Sequence, residues 1–63
     1  MTYSYRDAEG DRLQIEAIRK DGEAFLSVDA FERNGAWTTV HIAVEDVEEL
    51  IAGIREQARQ ASS

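Results

Sequence analysis

Apolar and polar side chains nearly alternate through RLQIEAIR, AFLSVDAF and WTTVHI, and more loosely through TYSYR near the start of the chain. A period of two marks a strand that turns one face toward a core. Three short stretches break the alternation: AEGD, KDGE and RNGA. Each sets a glycine where a hairpin needs a positive φ. The pattern predicts strands over about residues 2–6, 12–19, 24–31 and 36–42.

Turn chemistry then phases the strands. Asp21-Gly22 suits a two-residue type I′ loop, which pairs Ala17 with Leu26, Ile15 with Val28 and Leu13 with Ala30. Arg33-Asn34-Gly35 suits a three-residue loop closed by a left-handed glycine, which pairs Ala30 with Thr38, Val28 with Val40 and Leu26 with Ile42. Ala8-Glu9-Gly10, taken the same way, pairs Tyr5 with Leu13 and Tyr3 with Ile15. The three choices agree on one apolar face: Tyr3, Tyr5, Leu13, Ile15, Ala17, Leu26, Val28, Ala30, Val40 and Ile42. A slip of one residue in any hairpin would turn polar side chains into that face.

From Val44 the beat changes. Val47, Leu50, Ile51, Ile54, Ala58 and Ala61 recur at helical spacing and predict a helix over about residues 44–60, with 61–63 as a frayed tail. The segment starts acidic and ends with arginine, which suits the helix macrodipole. Ala43 is a poor N-cap. Gly53 in mid-helix costs about 1 kcal/mol relative to alanine and is expected to mark a close approach of helix to sheet. The expected fold is α+β: a four-stranded antiparallel β-meander with one C-terminal α-helix packed across its apolar face (ββββα), in a single domain over 1–63.

The same register defines the opposite face. One cross-strand row reads Arg6, Arg12, Phe31, Trp37; the next Ser4, Gln14, Asp29, Thr39; the third Thr2, Glu16, Ser27, His41; and Ile18 faces Phe25 at the far end. One helix covers one face, so Phe25, Phe31, Trp37 and Ile18 are expected to form an exposed apolar patch, a usual mark of a contact site.

Size and charge narrow what that patch can meet. A chain of 63 residues buries only about 60% of the surface its unfolded form exposes. Domains this small need disulfides, a metal or a partner. There is no cysteine and only one histidine, so oligomerisation is the remaining support. Thirteen acids against seven bases give a net charge of −6. That opposes a non-specific grip on DNA or an anionic membrane and favours a basic partner. No stretch is apolar for long enough to span a bilayer, and MTYSYRDAEG has no apolar signal core, so the expected setting is the cytoplasm.

Catalytic and metal motifs are sparse. His41 stands near Ser27, Glu16 and Thr39, yet a triad needs an elbowed nucleophile, an oxyanion hole and a pocket. His41 therefore reads as a strand histidine. DAEGD has acids and a glycine without the spacing of a calcium loop. Glu45, Asp46, Glu48 and Glu49 are the acidic start that a helix dipole favours. No cofactor motif occurs.

In the order of its elements, and through the strand-to-helix passage VHIAVEDVEELIAGI, the chain resembles transcriptional coactivators of the positive-cofactor-four type. That resemblance implies dimerisation and single-stranded DNA binding. It transfers no residue roles.

These readings converge on a small acidic, non-enzymatic interaction or regulatory protein. It is expected to dimerise through the helix-free sheet face. Trp37, Phe31, Phe25 and Ile18 are the anchors, with Arg6, Arg12 and His41 beside them. The acidic helix face, Glu45, Asp46, Glu48 and Glu49, could engage a basic protein such as a nucleic-acid-binding regulator or enzyme. Recognition of a different protein through the aromatic row is a further possibility. The alternative class is single-stranded nucleic-acid binding, with bases stacked on the aromatics and phosphates held by the arginines.

Overall fold

β-Branched and aromatic residues between three glycine turns build a continuous antiparallel meander. The computed structural model describes residues 2–63; Met1 lies outside them. The strands are β1 (Thr2–Arg6), β2 (Arg12–Lys20), β3 (Glu23–Phe31) and β4 (Trp37–Ala43), hydrogen-bonded in that order. A 3₁₀ turn (Val44–Asp46) then leads into α1 (Val47–Ser62). The ββββα, α+β order is that expected from the sequence.

Every expected pairing is present. Tyr5 faces Leu13, Ile15 faces Val28, Val28 faces Val40, and Phe31 faces Trp37. The β2–β3 turn carries Asp21 at φ 53° and Gly22 at φ 80°, as a type I′ loop requires. Asp21 tolerates this left-handed conformation because its side chain is short and polar. Gly35, at φ 98°, closes the β3–β4 loop and donates its N–H to Glu32 O at 2.9 Å.

The helix starts without a side-chain cap, and its first turn tightens into 3₁₀ geometry. It also runs past the expected end at residue 60. Residues 61 and 62 are helical rather than frayed. Ser62 Oγ donates to Ala58 O and Ser63 Oγ to Gln60 O, each at 2.9 Å, satisfying terminal carbonyls.

The position of the helix departs from expectation. It does not lie across the apolar face of the sheet. Its extended contacts are with the 3₁₀ turn that precedes it, and that turn in turn touches β3. Ile54 is 60% exposed, and on the sheet Tyr3 and Val40 are 62% and 56% exposed. Among the described residues none is fully buried. The radius of gyration is 13.5 Å, where a compact chain of this length has about 11 Å. The reason lies in the junction. β4 passes into α1 through one 3₁₀ turn, with neither glycine nor loop residues to reverse the chain. The helical turn Val44–Asp46 runs straight into α1, so no extended or loop residue between β4 and the helical segment redirects it.

Gly53 is corrected with it. A Cβ built there meets nothing within 4 Å, so this glycine does not mark a close approach within the chain. Gly53→Ala should therefore raise stability by up to about 1 kcal/mol through helix propensity alone. Thermal unfolding followed by circular dichroism reads this directly; a lowered midpoint would mean that something outside the chain packs against residue 53.

Candidate functional site

The polar-and-aromatic sheet face is assembled by cross-strand pairing. Arg6, Arg12, Phe31 and Trp37 come from β1 to β4 in one row, and Ile18, Phe25 and His41 sit toward the other end. Residues on adjacent strands face each other at close range and interact across the pleat. The Phe31 and Trp37 rings stack with centroids 5.8 Å apart. The Arg12 guanidinium lies 4.6 Å from the Phe31 centroid, a cation–π contact. Arg12 Nε is shielded from solvent and has no hydrogen-bond partner. Phe25 and His41 meet at 4.9 Å with tilted rings. Thr39 Oγ1 donates to Asp29 in the row between.

Exposure separates these residues. Phe25, Phe31, Ile18 and Arg12 are half-buried by their neighbours, whereas Arg6 and His41 are exposed and Trp37 is 62% exposed. Trp37 is thus the outermost large ring of a row otherwise propped from the side. Two open concavities lie at this end of the sheet: one is lined by Tyr5, Leu13, Ala30 and Phe31, and the other, beside Trp37, by Ala30 and Thr38.

A brace at this end of the sheet lay beyond sequence reasoning. Asp7 Oδ1 accepts from the N–H groups of Glu9 and Asp11, each at 2.9 Å, which shapes the β1–β2 loop. Asp11 Oδ1 then accepts from Arg33 N at 3.1 Å, tying that loop to the β3–β4 loop. The bond spans 22 residues, so no local pattern announces it. Asp7, Glu9 and Asp11 bring carboxylate oxygens within 4.8 Å of one another. The hydrogen bonds above account for Asp7 and Asp11 as loop-shaping groups.

His41 is placed beside Ser27 and, one strand further, Glu16. Among the described residues no hydrogen bond joins the three, and Phe25 is the aromatic neighbour of the imidazole. The acidic set divides between two elements. Glu45 and Asp46 belong to the 3₁₀ turn, Glu48 and Glu49 to the first turn of α1, and all four are exposed. At the other end of α1, Glu56 forms an ion pair with Arg59 and accepts from Gln60 Nε2 at 3.1 Å. The Arg59 hydrogen bonds, with help from Gln60, hold the Glu56 carboxyl below the usual glutamate range. Among the described residues no helix is long and apolar enough to cross a membrane.

No protein family, curated protein or solved structure matches this chain.

Two outcomes are expected. Because Glu56 titrates low when folded, its pairing favours the helix above the ordinary glutamate pKa and is lost as pH falls through the folded value. A side-chain NMR titration should show that low midpoint, and Arg59→Ala should move it upward; an unmoved midpoint would remove Arg59 as the cause. Severing the loop brace with Asp11→Ala should cost about 0.5–1.5 kcal/mol. Denaturant unfolding measures that loss, and loss of hydrogen-exchange protection at Arg33 N–H locates it.

Proposed function

We propose that the chain is a small, non-enzymatic protein-binding module that acts as a homodimer, with its sheet as the contact surface. One observation carries the reading: among the described residues no side chain is fully buried in the single chain. A domain needs two packed layers around a core, and here the layers stand apart. The two-fold dimer is the commonest assembly of identical chains, and a second copy can complete such a core. Both sheet faces lack a helix, so the uncovered surface is wider than the aromatic row alone.

The aromatic row is then the surface for a protein partner. Trp and Arg are typical anchors of protein interfaces, and Trp37 stands exposed beside the propped Phe31 and Arg12. The exposed acids Glu45, Asp46, Glu48 and Glu49 complement a basic partner, such as a nucleic-acid-binding regulator or enzyme.

One arrangement favours a second reading. An arginine over one ring and an exposed second ring could stack bases and hold phosphates of a single strand. The net charge of −6 opposes it.

Light scattering should give a mass twice the 7.1 kDa of one chain. A strict monomer across all concentrations would refute the dimer. A labelled single-stranded oligonucleotide, titrated at low and high salt, should show no tight association. Binding that weakens steeply with salt would replace the protein-binding reading with the nucleic-acid one.

A further inference from the structure

Each chain carries two unpartnered apolar surfaces. One is the sheet face centred on Ile15, Val28 and Val40. The other is the stripe Val47, Leu50, Ile51, Ile54 and Ala58 along α1. At 100° per residue these five fall within one sector, while Glu49, Glu56 and Arg59 fall on the opposite side. The 16-residue helix is about 24 Å long. A four-stranded sheet is about 19 Å wide. The helix therefore reaches across the whole sheet.

We propose that these surfaces close on each other between chains. In the dimer, α1 of each protomer lies across the apolar sheet face of its partner, so that each core is built from two chains. This inference rests on the reading of the protein as a homodimer.

The area fits. The chain exposes 5423 Å², where a folded monomer of 7.1 kDa exposes about 4,100 Å². The excess, about 1,300 Å² per chain, amounts to about 2,600 Å² for a pair, within the range of obligate homodimers. The short junction fits as well. A 3₁₀ turn of three residues gives the helix no slack to reverse onto its own sheet, and short hinges favour exchange of the element they carry. The arrangement is isologous: helix meets sheet twice around one two-fold axis, so the helix–sheet contact closes on itself. It also leaves the Arg12–Phe31–Trp37 row free on the outer face, where a partner protein can reach it.

The decisive measurement is an isotope-filtered NOE experiment on wild-type protein, mixed from labelled and unlabelled chains after unfolding and refolding together. The expected result is intermolecular contact between methyls of Leu50, Ile51 or Ile54 and those of Val28 or Val40. A monomer in which those contacts are intramolecular would overturn both the exchange and the dimer. A dimer whose intermolecular contacts lie at Trp37 and Phe31 would overturn the exchange alone and leave the homodimer standing. Light scattering of variants gives a second reading. Ile54→Asp on the helix and Val40→Asp on the sheet should each weaken dimerisation at least roughly a hundredfold, since each substitution strikes both halves of the interface. Trp37→Ala should leave the dimer mass unchanged; its loss there would also count against the exchange.

Discussion

Hairpin phasing governs this molecule. Because side chains alternate between faces, the turn that joins two strands decides which residues look one way and which the other. Asp21-Gly22 and the loop closed by Gly35 set that phase for β2, β3 and β4. Ile15, Val28 and Val40 consequently share one face, and Arg12, Phe31 and Trp37 share the other. A shift by one residue would mix the two sets and leave neither a continuous apolar surface nor an aromatic row.

The second determinant is the separation of sheet and helix. An apolar sheet face and an amphipathic helix are each half of a two-layer core. In the single chain the halves are connected but not stacked, which accounts for both the elongated shape and the absence of fully buried residues among those described. The proposed exchange of helices would supply the missing layer. The chain's stability would then depend on protein concentration, because folding and association become one equilibrium.

The aromatic face is organised by local pairing and needs no second layer to hold its geometry. Stacking of Phe31 on Trp37, the Arg12 guanidinium over Phe31, and the hydrogen bond from Thr39 to Asp29 each link adjacent strands. The Asp11–Arg33 bond adds a link between the two loops at that end. A surface preorganised in this way would lose less conformational entropy on binding than one built from free side chains.

The primary structure specified everything that depends on short-range chemistry. Element order, strand pairing and the membership of each face follow from glycine placement and a two-residue beat, since these act between neighbours in sequence or across one turn. The row Arg6, Arg12, Phe31, Trp37 was legible for that reason. The path of the helix was not. Its apolar stripe says that it must be covered, and the sheet's apolar face says the same, yet periodicity carries no direction between elements. The three-residue 3₁₀ junction sends α1 away from its own sheet, and the Asp11–Arg33 bond ties segments 22 residues apart. Both are set by the placement of segments in space, which pattern along a chain does not encode.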